Sequence, residues 1–256
     1  MRRRTFLGSA SAAVLVPAAT THAAAPTVVL ELFTSQGCSS CPPADALLGE
    51  LARRPGVVAL AWHVDYWNRQ GWRDPYSSHL ATERQRAYAE ILDAEVYTPA
   101  LVIDGARMVV GSARQAVSAS IAASTPPELD VTLLRAPAGI TALVGQAPAP
   151  VSAMLVTFEP EHETQIGGGE NGGRRLREFN TVRTAVVLAS WDGAARTLTA
   201  PAPAPGLGAA LLVQDSKLRV LGAVMLPARA SETRAARADP GADDRVNRRH
   251  DGATRA

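Results

Sequence analysis

A Cys-Ser-Ser-Cys sequence, Cys38 to Cys41, holds both cysteines of the 256-residue chain and separates two runs of opposite character. Before it, Thr27 to Phe33 is mostly apolar apart from Glu31, and reads as a buried strand. After it, Ala44 to Arg53 reads as a helix, with Pro42 and Pro43 suited only to a first turn. A strand must therefore give way to a helix within a few residues, with both thiols at the turn. Cysteines so placed can open and close as a disulfide. A bridge this short removes little unfolded-state entropy, whereas a stabilising staple would link distant segments. Exchange chemistry is thus favoured over a static bridge.

The prolines set a limit. The residue before each is steered away from helical geometry, so the regular helix is expected over Pro43 to Arg54. Cys38 then lies almost a turn ahead of the N–H groups that would stabilise a thiolate. Ser39 and Ser40 supply hydroxyls but no positive charge. Moderate acidification of Cys38 is expected, with Cys38 attacking and Cys41 resolving the mixed disulfide.

Beyond this turn, Val57 to His63 reads as a second strand and Asp65 to Tyr76 as an aromatic loop. Ser77 or Ser78 caps a helix reaching about Asp93. Ala100 to Gly105 is a strand ending in an Asp-Gly turn, with Met108 to Gly111 as its hairpin partner. Ser112 is expected to cap a helix to about Ala123, and Pro126-Pro127 closes the segment. Residues 26–125 thus form one α/β unit. Residues 128–227 carry short strand candidates at 131–134, 140–144, 152–158, 177–189, 209–214 and 219–226, and read as a small β-rich domain. Residues 228–256 have almost no large apolar side chain and read as a disordered tail.

The first 25 residues read as an export signal: Arg2-Arg3-Arg4, an apolar stretch from Phe6 to Ala19, and Ala23-Ala24-Ala25 for cleavage. Arg3-Arg4-Thr5-Phe6-Leu7 also fits a twin-arginine signal, so either route is open. Export predicts a periplasmic or secreted protein with no membrane span after signal removal. A disulfide persists in such a compartment. Removal takes Lys+Arg from 26 to 23 against 24 Asp+Glu, and the formal charge from +2 to −1. The basicity belongs to the signal, and nothing in the charge argues for a nucleic-acid footprint.

The order of elements, with Cys-x-x-Cys after the first strand and Thr98-Pro99 before the third, resembles the thioredoxin superfamily. The run Leu30 to Asp45, LELFTSQGCSSCPPAD, is similar to the signature of a secreted bacterial thioredoxin-like family of unknown function. His63-Val64-Asp65-Tyr66-Trp67, Tyr97-Thr98-Pro99 and Gly169-Glu170-Asn171 resemble its other signatures. The resemblance implies a four-stranded mixed sheet with flanking helices. It also implies a cis Pro99 facing the cysteines, with Thr98 and Pro99 binding substrate backbone.

Other residues stay open between two roles. His63 either moves protons, or joins Cys38 and Cys41 around a soft ion such as Cu(I), or is a hydrogen-bonded histidine ordering the aromatic loop. Asp65 anchors that loop by turn hydrogen bonds. Glu31 is either a tuned acid near the cysteines or a paired structural carboxylate. Met108 is a strand core residue or a weak further metal ligand. Gly167 to Gly173 lacks the lysine and helix of a phosphate loop. It reads as a mobile hairpin tip that could fold over the cysteines and present Glu170 or Asn171. The chain is therefore expected to be a thiol–disulfide oxidoreductase needing no bound cofactor. Its partners would be a protein or small thiol and a further redox partner. Copper binding and a redox-inert binding module are the alternatives.

Overall fold

The computed structural model describes residues 28–125, 127–136 and 139–229. The expected export segment, and the tail beyond Arg229, lie outside the described residues. Among the described residues no helix is long and apolar enough to cross a membrane.

The elements run β1 (Val28–Thr34), α1 (Pro42–Leu51), β2 (Val57–His63), α2 (His79–Ile91), β3 (Ala100–Ile103), β4 (Arg107–Val110) and α3 (Arg114–Ala122). Strands follow: β5 (Val131–Ala136), β6 (Gly139–Val144), β7 (Val151–Gln165), β8 (Arg175–Trp191), β9 (Arg196–Ala200), β10 (Gly208–Gln214) and β11 (Val220–Leu226). The chain is a mixed α/β protein with one large mixed sheet and a second, small one.

Several local signals act as read. Ser78 caps α2 by accepting from the Ala81 N–H at 3.2 Å. Asp104 and Gly105 take φ of 50° and 64°, the left-handed pair that a tight hairpin between β3 and β4 requires. Two helix starts differ. Helix α1 begins at Pro42, not Pro43, and Cys41 is its N-cap in helical geometry. A first-turn proline is tolerated because its missing N–H has no intrahelical partner there. Ser112 does not cap α3; the helix starts at Arg114 with Ala113 as N-cap and no side-chain bond.

The large sheet has the order β11-β10-β7-β8-β2-β1-β3-β4. Strands β1 and β2 are parallel, while β3 and β4 run antiparallel. The sheet does not stop at four strands. Ala61 of β2 pairs in parallel with Thr181 of β8, and Asn180 donates from Nδ2 to the Ala59 carbonyl at 2.9 Å. Asn180 has φ 48°, so its backbone breaks the ladder there and frees the side chain to bond the β2 edge. Strands β7 and β8 are much longer than their apolar runs suggest. Their distal halves, Glu159–Gln165 and Arg175–Thr181, are held by pairing rather than by an apolar face. Strand β9 lacks a strong apolar signal and goes unread in the sequence; it completes the small sheet β5-β6-β9.

Alternation along β1 divides the core. Leu30 and Leu32 pack with Leu47, Leu48 and Leu51 of α1. Val29 and Phe33 face the other way, against Trp62, Tyr88 of α2, and Val156, Phe158 and Leu212. One core thus joins the two halves of the large sheet. The opposite faces of β7, β10 and β11 meet the small sheet through Leu155, Leu211, Val213, Leu133 and Ile140. Full burial of each such side chain contributes ~1.5–3 kcal/mol.

Candidate functional site

The strand-to-helix turn is closed by its own backbone. Cys38 N–H donates to Ser35 O, and Cys41 N–H to Cys38 O, each at 3.2 Å. Cys38 and Cys41 form a disulfide. Both cysteines are fully buried, and only Ser39 and Ser40 of the motif are exposed.

Three groups surround Cys38. The Thr98–Pro99 bond is cis, and the Thr98 hydroxyl donates to Cys38 Sγ at 3.3 Å. Trp67 Nε1 donates to the same hydroxyl at 2.8 Å, so the aromatic loop sets the direction of that bond. Ser40 Oγ lies 3.3 Å from Cys38 Sγ. The third group is the hairpin tip between β7 and β8. Asn171, fully buried, donates from Nδ2 to both Gln36 O and Cys38 O at 2.9 Å. Exposed Glu170 accepts from Ser39 N–H at 3.0 Å, and the Ser39 side chain together with this N–H lowers its carboxyl below the ordinary range.

The glycines let the tip come close. A Cβ on Gly168 would sit 2.5 Å from Gly71 O, and Gly169 has φ 67° while lying against Trp72 and Gln70. The tip therefore docks backbone to backbone on the aromatic loop, where the sequence suggested a mobile turn.

Beneath the turn lies a buried group of ionisable side chains. His63, at the end of β2, bonds through Nδ1 to Asp74 Oδ2 at 2.7 Å. Its Nε2 stands 3.7 Å from Glu178 Oε1, and neither of these atoms has a hydrogen-bond partner. Burial opposes a charge on His63. Asp74, Glu178 and Asp45 outweigh it and raise the imidazole to about 9, so it is an imidazolium at neutral pH. Burial likewise opposes ionisation of Asp74, but His63 and the N–H groups of Gln36 and Tyr76 hold it below the usual carboxylate range. Asp45, on the first turn of α1, is raised to about 7 by burial and then by Glu178, with His63 opposing. His162 Nε2 bonds Glu178 Oε2 at 3.0 Å.

Gln36 joins this group to the turn. Its N–H donates to Asp74 at 2.9 Å, and its Nε2 to Glu178 at 2.6 Å and Thr164 at 3.0 Å. Its side-chain carbonyl accepts from Trp72 Nε1 at 3.1 Å. Neither Gln36 nor Asp45 was singled out in the sequence. Asp45 had a legible signal: it lies three residues before Leu48, on the apolar face of α1. Gln36, Asp74 and Glu178 had none, because their partners are remote in sequence.

The remaining candidates lie elsewhere. Glu31 points to the α2 side of β1, where Arg84 grips both oxygens at 2.6 and 2.9 Å and Tyr88 donates its hydroxyl. It is a paired structural carboxylate. Burial disfavours the Arg84 charge, but Glu31 more than restores it. Asp65 ties the end of β2 to α2, its backbone N–H donating to Thr82 Oγ1 and its carboxylate accepting from the same hydroxyl. Met108 packs on the core. The imidazole of His63 is directed to carboxylates rather than to the sulfurs. Among the described residues no group of three or more His, Cys, Asp or Glu is arranged to hold a metal ion.

Fold and site together define a mixed α/β protein with a Cys-x-x-Cys disulfide at a strand-to-helix turn. The model of a family described as "Protein of unknown function (DUF1223)" matches residues 29–214. The chain belongs to this family. It is similar to the X-ray structure of a protein from Agrobacterium tumefaciens, with 28% identity and a TM-score of 0.70, over 80% of this chain and 95% of that one. Among curated proteins there is no match.

Proposed function

We propose that the chain is an exported, thioredoxin-like thiol–disulfide oxidoreductase. Its α/β unit, residues 26–125, would carry the exchange, and residues 128–227 would shield it. The observation that carries this reading is the Thr98 hydroxyl donating to Cys38 Sγ at 3.3 Å. A hydrogen bond to that sulfur favours its thiolate over its thiol, and among the described residues no side chain bonds Cys41 Sγ. Cys38 is thus the attacking sulfur.

In the reducing direction, the Cys38 thiolate attacks one sulfur of a substrate disulfide. A mixed disulfide forms and the other substrate sulfur leaves as a thiolate. Cys41, as thiolate, then attacks Cys38 Sγ, which restores the Cys38–Cys41 bond and releases the second substrate thiol. The substrate gains two electrons and the cysteines lose two. Asp45, one helical turn after Cys41 and poised about neutral pH, can hold the proton that Cys41 gives up. Thr98 and Pro99 would bind the extended substrate beside Cys38.

The full burial of both cysteines favours a second reading, a redox-inert bridge that holds the turn. Equilibration with glutathione buffers separates the two. The oxidoreductase reading expects a measurable reduction potential and loss of exchange in Cys38→Ser. A bridge that does not equilibrate over hours with millimolar glutathione would leave the inert reading.

A further inference from the structure

The hairpin tip closes over the very turn that must react. Cys38 is fully buried although its neighbours Ser39 and Ser40 are exposed. The contacts across the turn come from Asn171, with two bonds to backbone carbonyls, and from Glu170, with one to the Ser39 N–H. The Asn171 side-chain carbonyl is itself held by Arg174 Nη1 at 2.7 Å, so the amide cannot turn its donors elsewhere without losing that bond. The strands leading to the tip are fixed to the same turn through Thr164 and Glu178, both bonded to Gln36.

We infer that Asn171 and Glu170 form a releasable cover that positions the cysteine turn and controls access to Cys38. The inference rests on the oxidoreductase reading for its purpose, and the two residues have separate parts. Asn171 is the latch: its bonds hold the carbonyls of Gln36 and Cys38, the two residues flanking the tight turn at Gly37. Glu170 is an electrostatic guard. Its carboxylate occupies the N–H next to Cys38 and sets a negative charge where an attacking thiolate must approach. Like charge slows that approach, and an N–H already bonded cannot stabilise a sulfur anion. Both carbonyl bonds and the carboxylate bond must break together to free the turn.

The test is the rate at which the oxidised protein is reduced by two reagents. Dithiothreitol attacks as a thiolate; its first sulfur bonds a cysteine sulfur, the other cysteine leaves, and its second sulfur closes the ring. Tris(hydroxypropyl)phosphine attacks as a neutral molecule, and water converts it to the phosphine oxide as two thiols form. Asn171→Ala, and Asn171→Leu, which keeps similar bulk without a charge but removes both donors, should speed both reagents several-fold. Glu170→Gln keeps an acceptor for Ser39 and removes the charge, so it should speed dithiothreitol more than the phosphine. Glu170 is exposed, so this variant folds as the wild type does. A general loosening would raise both rates together and leave their ratio unchanged. Rates for the Asn171 variants matching wild type with both reagents overturn the latch. An unchanged ratio in Glu170→Gln overturns the guard. Exchange of Asn171→Ala with glutathione reports separately on the oxidoreductase reading: faster reduction of this variant by both reagents, with no equilibration with glutathione, sinks that reading and keeps the cover.

Discussion

Replacing Asp45 with Asn tests the electrostatics beneath the disulfide. Asp45 has its carboxyl raised from 3.8 to about 7, first by burial and then by Glu178. A group with a raised folded-state pKa contributes stability that is complete below its unfolded value and lost as pH rises through the folded value. The window is therefore about pH 4 to 7. Across it the native state keeps a proton that the unfolded chain has released, and stability falls by ~1.4 kcal/mol per pH unit. The whole window amounts to about 4 kcal/mol, and the interval from pH 4.5 to 6 to about 2 kcal/mol. His63 is protonated in both states over that narrower interval, since its raised value lies about 9 and its unfolded value near 6.5. Other carboxylates are common to both proteins and cancel in the difference. Urea titrations of wild type and Asp45→Asn at pH 4.5, 5.25 and 6, with the disulfide intact, measure it. The wild type should lose about 2 kcal/mol relative to the variant over this range. Parallel stability curves would refute the assignment of a proton to Asp45.

Three further outcomes follow from named contacts. Arg84→Met leaves Glu31 buried without its cation and should destabilise by about 3–5 kcal/mol in thermal or urea unfolding, whereas Arg84→Met with Glu31→Gln should recover much of the loss. The His63 imidazole, followed by NMR, should titrate at about 9, and Asp74→Asn should lower it. Stability from His63 is complete below about pH 6.5 and lost as pH rises toward 9, so the Asp74→Asn variant should show a flatter curve there. Gly168→Ala puts a methyl 2.5 Å from Gly71 O and should cost about 1–3 kcal/mol while speeding reduction of the disulfide.

The parts of the fold legible in the sequence are those decided within a few residues. The apolar run of β2, the Ser78 cap and the Asp104-Gly105 turn each carry their reason locally, in side-chain periodicity, a capping oxygen and a left-handed φ. Where local rules compete, the reading slips. Two adjacent prolines argue against a helix reaching Pro42, yet the first turn needs none of the N–H groups they lack. The distal halves of β7 and β8 mix charges and threonines, and only their pairing with each other makes them strands.

The Cys38–Cys41 turn was legible in the sequence itself, because two cysteines with two residues between them before a helix are close enough to bond. The surroundings that decide its chemistry were not. Gln36 meets Glu178 across 142 positions, and Asn171 meets the Cys38 carbonyl across 133. The Gln36–Glu178 pair carries no local signal, since a lone amide or carboxylate reads as solvated; the glycine run placed Asn171 over the cysteines as an expectation, but not its bonds to the Gln36 and Cys38 carbonyls. Only the joining of β8 to β2 brings them under and over the disulfide. Burial there strips water from Asp45 and raises its carboxyl to about 7, while the carboxylates around buried His63 hold it as an imidazolium.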